Sequence, residues 1–229
     1  MNTIGLIGGM SWESSAHYYR ILNEETARAL GGLHSAPVIM HSVDFAPIEE
    51  MQRRDAWEEA GVVLGDIAAH LEAQGAGVIG LATNTMHIVA HAITERIGVP
   101  FVHIADPTAD ALEADGFTTV GLLGTRFTMK KPFYVDRLTR RGLTTIVPDV
   151  GITNLNGIIY EELVRGIVRD ESRKTYVEAI ARLASRGAEA VILGCTEIGM
   201  LIDDSVSPLP VYDTTELHAK ALVQKALEG

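Results

Sequence analysis

The one cysteine of this 229-residue chain, Cys195, stands where an apolar run gives way to polar residues, in Leu193-Gly194-Cys195-Thr196-Glu197. A thiolate is a base and a nucleophile. Set between a strand and a helix, it gains stabilisation from the helix's first amides, which can bring a thiol from a pKa of about 8.5 to below about 7.5. Gly194 allows close backbone approach. The alternative is a buried cysteine serving as a small hydrophobe. The Gly, Thr and Glu clustered directly after an apolar strand favour chemistry. Glu197 can orient or perturb the thiol, but a neighbouring carboxylate raises a thiol pKa, so it is not assigned as the base.

Thr83-Asn84-Thr85-Met86-His87 ends another apolar run. Thr and Asn are good helix N-caps, and their hydroxyls and backbone amides can also cradle a carboxylate. Gly5-Leu6-Ile7-Gly8-Gly9-Met10-Ser11 follows the first strand and opens a helix over Ser11–Leu30. Its glycine spacing is not that of a dinucleotide-binding turn, and no acidic residue follows at a ribose position, so a turn binding a small carboxylate is expected instead. Gly124-Thr125-Arg126-Phe127-Thr128 offers a second such turn, with hydroxyls at Thr125 and Thr128. Gln52-Arg53-Arg54 is either a solvated helix face or the place where an arginine clamps a distal carboxylate. The eight histidines show no ligand spacing beyond His87 and His91, a helical i, i+4 pair without a third partner, read as structural; no metal is expected.

These residues need strand ends to hold them. Short apolar runs, several of them continuous in Val, Ile and Leu, predict strands at Thr3–Ile7, Pro37–Val43, Val78–Ala82, Phe101–Ile104, Thr119–Leu123, Thr144–Val147, Ala190–Gly194 and Val211–Tyr212. Such runs suit parallel strands buried on both faces. Amphipathic stretches lie between them, with Val63, Ile67 and Leu71 on one helix and Ile180, Leu183 and Ala184 on another. Alternating strands and helices make this an α/β chain of parallel βαβ units. The segments Pro148–Asn156 and Asp203–Pro210 carry the least pattern.

The chain also repeats itself. Ala69, Leu71, Gly75 and Ala76 recur as Ala181, Leu183, Gly187 and Ala188 (181 − 69 = 112), and that offset sets Thr83 on Cys195. Ile4-Gly5-Leu6-Ile7-Gly8 recurs at Val120-Gly121-Leu122-Leu123-Gly124 (120 − 4 = 116). A duplication predicts two half-domains that face each other, with Thr83 and Cys195 at equivalent strand ends across a cleft, where open α/β sheets bind ligands. The expected boundaries are 1–100 plus 208–229 for the first half-domain and 101–207 for the second.

Composition excludes several functions. Hydrophobic residues make up 47% of the chain, enough for a core. Nineteen basic against 30 acidic residues leave a formal charge of −11, which disfavours nucleic acid or an anionic membrane as partner. No apolar run reaches the ~18 residues of a membrane span. No leader is read at the N-terminus, and a cytoplasmic protein is expected. A lone cysteine precludes an internal disulfide.

Taken together, the opening Ile4-Gly5-Leu6-Ile7-Gly8-Gly9-Met10, the Thr83–His87 segment, Gly124-Thr125-Arg126 and Gly194-Cys195-Thr196-Glu197 resemble the aspartate/glutamate racemases that work without pyridoxal phosphate. Gly8-Gly9-Met10-Ser11-Trp12-Glu13-Ser14, His41-Ser42-Val43-Asp44-Phe45 and Gly194–Gly199 are similar to the bacterial branch specific for L-aspartate and L-glutamate. The resemblance implies two pseudo-twofold-related α/β half-domains, each with a mainly parallel four-stranded sheet flanked by helices, and an active site in the cleft between them. It implies no cofactor, small acidic amino acids as ligands, and a homodimer. Family members carry a cysteine on each face of the substrate α-carbon. Here Thr83 replaces the first and Cys195 keeps the second, as in the L-specific branch. The resemblance therefore implies Cys195 and Thr83 as catalytic residues, and Met10, Gln52, Arg53, Asn84, Thr85, Thr125, Thr128, Thr196 and Glu197 around the substrate. A family lysine that follows a Tyr-Glu pair is matched only by Arg165, shifted in spacing after Tyr160-Glu161-Glu162. Other small acids, such as hydantoins or maleate, and a carboxylate binder without catalysis are the alternative readings.

Overall fold

The computed structural model describes all residues, 1–229. By contacts they divide into two compact units, Met1–Ile104 with His218–Gly229, and Ala105–Leu217. The first unit holds β1 (Thr3–Gly8), α1 (Trp12–Leu30), β2 (Val38–Ser42), α2 (Phe45–Arg53), α3 (Trp57–Ala73), β3 (Ala76–Leu81), α4 (Ala90–Thr94) and β4 (Phe101–Val102). The second holds α5 (Ala105–Ala114), β5 (Thr119–Gly124), α6 (Arg126–Lys130), α7 (Pro132–Arg140), β6 (Thr144–Ile146), α8 (Ile152–Glu161), α9 (Asp170–Ser185), β7 (Ala190–Gly194) and β8 (Val211–Asp213). The closing helix α10 (Thr214–Leu227) starts in the second unit and ends in the first.

Each unit is built on a four-stranded parallel sheet, ordered β2-β1-β3-β4 in the first and β6-β5-β7-β8 in the second. Their central strands are almost wholly buried, as the unbroken Val/Ile/Leu runs require. Helices supply the other half of each core. In the first unit Leu64, Ile67 and Leu71 of α3 pack with Ile7, Ile79 and Leu81. On the other side Tyr18 and Leu22 of α1, with Leu222 and Val223 of α10, pack on Ile4, Leu6 and Val78. In the second unit Tyr176, Ile180 and Leu183 of α9 and Leu155 and Ile159 of α8 meet Leu123, Val191 and Leu193. Each such fully buried side chain contributes about 1.5–3 kcal/mol relative to exposure.

The two sheets repeat down to register. Gly5 pairs with Ile79, and Gly121 with Val191; the offsets are those of the sequence repeat (121 − 5 = 116 and 191 − 79 = 112). A Cβ at Gly5 would lie 3.3 Å from Leu71 Cβ, and one at Gly121 would lie 3.4 Å from Leu183 Cβ. The same glycine thus receives the same leucine in each unit. Gly75 and Gly187, which end α3 and α9, share a φ of 97°, a left-handed turn that glycine adopts without penalty.

Domain boundaries differ from the sequence expectation at both joints. The first moves from residue 100 to 104, because Phe101 and Val102 pair with Ile79 and Gly80 of β3. The second moves from 208 to 217, because Val211–Asp213 pairs with β7. Strand ends shift by one or two residues at most sites. Pro148–Asn156 is not all loop: α8 begins at Ile152, after Gly151 in the left-handed conformation with φ 77°, and most of its buried face, Ile158 and Ile159 after Leu155, lies beyond the segment that looked featureless. No helix is long and apolar enough to cross a membrane.

Candidate active site

In the second unit, β5 and β7 end side by side, with Gly124 paired to Gly194. A Cβ on Gly124 would lie 2.6 Å from the Gly194 carbonyl, and one on Gly194 would lie 2.9 Å from that of Leu123. The two glycines therefore let the strands close up where Thr125 and Cys195 leave the sheet. Thr125 caps α6: its hydroxyl accepts from the Thr128 amide at 3.2 Å and lies 3.2 Å from the Thr128 hydroxyl. The Arg126 amide donates to Asn156 Oδ1 at 2.8 Å, which ties this turn to α8. Thr196 is half-buried.

Cys195 is 6% exposed and Glu197 4%. The thiol donates to Glu197 Oε2 at 2.9 Å. Burial pushes the thiol's pKa well above its ordinary value, and the Glu197 carboxylate and Asp213 at the end of β8 push in the same direction. Only the backbone of Glu197 favours the thiolate. This corrects the expectation of a thiol lowered by helix amides. The chain beyond Cys195 forms only a three-residue 3-10 turn, Ile198–Met200, too short for an appreciable dipole. Asp213, also the N-terminal cap of α10 through bonds from the Thr215 and Glu216 amides, escaped the sequence reading. Its signal was the Asp-Thr-Thr-Glu run that opens a helix. Tyr176, near the same charges, is likewise raised well above its ordinary value, first by burial.

In the first unit, β1 and β3 end together, with Ile7 paired to Leu81 and the Ala82 amide donating to the Ile7 carbonyl at 2.8 Å. Gly9 (φ 91°) turns the chain here, since any Cβ would overlap the Val43 carbonyl. Met10 is buried among Ile48 and Met86. Ser11 caps α1, accepting from the Ser14 amide at 3.3 Å, as the Gly-Gly-Met-Ser run predicts. Thr83 is half-buried, and Asn84 and Thr85 are buried. Asn84 makes no side-chain cap to the 3-10 turn Thr85–Val89, in contrast to the N-cap expectation, because its backbone is already helical (φ −74°, ψ −51°). Gln52 of α2 is 4% exposed and donates to Met86 Sδ at 3.1 Å, which brings it to this segment. Arg53 is not brought there. One step further round the helix, its side chain is 65% exposed and paired with Glu50. Arg165 is exposed as well.

His87 and His91 do not share one helix: His87 lies in the 3-10 turn and His91 in α4. Both His87 ring nitrogens are engaged, Nε2 accepting from the Ile104 amide at 3.2 Å and Nδ1 lying 2.8 Å from the Thr83 carbonyl. No cluster of three or more His, Cys, Asp or Glu side chains is arranged to hold a metal ion.

Thr83 lies two residues beyond Leu81, which pairs with Ile7, and Cys195 lies two beyond Leu193, which pairs with Leu123. One weak acid and one hydroxyl thus occupy the same position of a repeated scaffold. Known proteins share that scaffold. A candidate Asp/Glu racemase from Yersinia pestis is 46% identical, with a TM-score of 0.92 over 99% of this chain and 100% of the other. An aspartate racemase homologue from Pyrococcus horikoshii is 34% identical, with a TM-score of 0.84 over 99% and 100%. The broad-specificity amino-acid racemase RacX of Bacillus subtilis is 25% identical over 166 residues, 71% of this chain and 70% of RacX. A sequence model described as Asp/Glu/Hydantoin racemase matches residues 7–222, and the chain belongs to that racemase family.

Proposed function

We propose that this protein interconverts the L- and D-forms of aspartate and glutamate without a cofactor, with Cys195 acting on the L-face of the α-carbon and Thr83 on the opposite face. The observation that carries this reading is the pairing of Cys195 with Glu197 at the strand end whose repeat partner bears Thr83.

The reaction begins with a proton that must leave the thiol. As the α-proton moves from carbon to Cys195 Sγ, the original Sγ proton moves to Glu197 Oε2. One C–H and one S–H bond break, one S–H and one O–H bond form, and the substrate carries the electron pair as an enediolate. Glu197 is an acceptor for the thiol, not the base that touches substrate. Amides and hydroxyls of Asn84, Thr85, Thr125, Thr128 and Thr196 hold carboxylates and stabilise the developing charge. The Thr83 hydroxyl then delivers a proton to the other face and recovers one from water, while Glu197 releases the proton it took to solvent, so the cycle closes. A threonine is far too weak an acid to rest as an alkoxide at neutral pH, so abstraction from a D-substrate is the harder direction. Gln52 and Met10 contact the side-chain end of the substrate, and Arg53 reaches it only by leaving Glu50.

The family's description extends to hydantoins and RacX is broad in specificity, which makes other small acids and amino acids the second reading. Purified protein with no added cofactor, given L- and D-aspartate and glutamate in deuterated water, decides. Proton NMR follows α-proton loss and chiral chromatography follows inversion. Exchange and inversion that both vanish in Cys195→Ala are expected. Absence of exchange with all four would refute the reading, and tight binding without exchange would mark a binding protein.

A further inference from the structure

The repeat sets two different environments on equivalent positions. The 112-residue offset that matches Thr83 to Cys195 matches His87 to Gly199. Strands β4 and β8 carry the comparison further: Val102 pairs with Gly80, and Tyr212 with Ile192, so the next residues, His103 and Asp213, correspond. In the second unit the Asp213 carboxylate lies against Gly199, where a Cβ would overlap Oδ2. In the first unit the His103 ring lies edge-on to His87, with centroids 4.5 Å apart. The cysteine therefore sits beside carboxylates, and the threonine beside imidazoles.

We propose that His87 is a positioning residue for Thr83, holding the Thr83 backbone through Nδ1 so that the hydroxyl can serve the opposite face of the substrate. The inference rests on the racemase reading above. Its tautomer follows from its partners: Nε2 accepts the Ile104 amide proton, so the ring proton sits on Nδ1 and donates to the Thr83 carbonyl. The Thr83 amide donates to the Leu81 carbonyl at 2.8 Å. Both backbone polar groups of Thr83 are thus fixed, one by the strand end and one by His87. Ile104 follows the β4 edge by two residues, so the imidazole spans from the β4 end to the turn after β3. Phe101 packs on it at 5.6 Å and His218 at 5.9 Å. His218 is itself fixed by the Val102 carbonyl at 2.8 Å and the Tyr18 hydroxyl at 2.9 Å. A buried ring with this many contacts has one orientation to offer.

A role confined to Thr83 separates two rates on an L-substrate in deuterated water. Exchange with retention needs Cys195 alone, whereas inversion needs Thr83. In His87→Phe the ratio of inversion to exchange is expected to fall about tenfold or more, within the range of losing one general acid. His87→Asn, whose amide nitrogen reaches the Nδ1 position, restores the ratio to within about threefold. His87→Gln, whose amide reaches the Nε2 position instead, does not. Equal loss of both rates in all three variants, or an unchanged ratio in His87→Phe, overturns the proposal. Nitrogen-15 NMR of the wild-type ring gives a readout free of activity: an Nε2–H tautomer overturns the proposal whatever the kinetics. Wild-type protein without any exchange refutes the racemase reading instead, and the tautomer then still decides whether His87 holds Thr83.

Discussion

Replacing Glu197 with Gln separates the two ways this side chain acts on Cys195. As a charge 2.9 Å from Sγ it opposes the thiolate, and as an acceptor it receives the thiol proton. A like charge in direct contact raises a thiol pKa because it disfavours the thiolate. The neutral amide removes that contribution. Burial, the largest cause of the rise, and Asp213 both remain, so the variant thiol titrates below the wild type yet above an ordinary cysteine. The assay is thiolate absorbance at 240 nm against pH, with Cys195→Ser as the blank; the single cysteine makes the difference spectrum unambiguous. Activity should move the other way. Without an acceptor, α-proton exchange from the L-substrate at neutral pH falls about 100- to 1000-fold, and the deficit shrinks as pH approaches the lowered thiol pKa, where water can take the proton. A thiol pKa that is unchanged or higher in Glu197→Gln refutes the electrostatic argument. A deficit constant with pH refutes the acceptor role.

Thr83→Ala should keep exchange from the L-substrate and lose inversion by about 100-fold or more, while Thr83→Cys should gain activity on the D-substrate; a Thr83→Ala variant that inverts normally would remove Thr83 from the reaction. Gln52→Ala should raise KM by about tenfold, the effect of one lost polar contact, and Arg53→Ala should change it by less than about threefold, since Arg53 faces outward with Glu50. Steady-state kinetics would show the reverse ranking if the arginine is the clamp. Stability should fall as pH rises above about 8.5, the ordinary thiol pKa, because the folded state then holds a proton that the unfolded chain has lost. The slope reaches at most about 1.4 kcal/mol per pH unit for one group, and it is shallower in Cys195→Ala. Denaturant midpoints that stay flat or rise from pH 8.5 to 10 would contradict the raised thiol.

The central strands were legible because burial on both faces writes parallel strands as apolar runs. All eight segments read as strands are strands, and the two offsets of the sequence repeat are the offsets of the sheet registers. Chain ends of elements were less legible. β4 and β8 are edge strands of two and three residues, too short to show a period, and the domain boundaries were misplaced there. At the site, residue types and strand-end positions pointed to Cys195 and Thr83, and the family resemblance to Gln52 and Arg53. Direction was beyond them: nothing in Gln52-Arg53 says which side chain turns inward until α2 is packed. Asp213 and the role of His87 depend on pairs 18 and 4 residues apart in sequence (213 − 195 and 87 − 83), and the first of these is made only when β8 pairs with β7. The sign of the thiol's shift was hidden for the same reason. The segment after Cys195 reads as a helix start, and only its collapse to one 3-10 turn removes the dipole and leaves the carboxylate in control.

The two environments bear on the direction of the proposed reaction. Free enantiomers have equal energy, so the ratio of kcat/KM in the two directions is fixed at one. Any bias toward the L-substrate must therefore appear as a matched change in kcat and KM. A duplicated scaffold with like residues at both strand ends would offer the same base to both enantiomers. Here the half with an ionisable thiol also carries two carboxylates, Glu197 and Asp213, whose charges oppose the thiolate. The half with a hydroxyl carries a ring whose two nitrogens are already engaged by backbone groups. In the proposed reaction the first half takes up a proton, and the second holds its donor in place. In the proposed reaction that difference assigns abstraction to Cys195 and delivery to Thr83, and it requires a lower kcat from D to be accompanied by a proportionally lower KM for D.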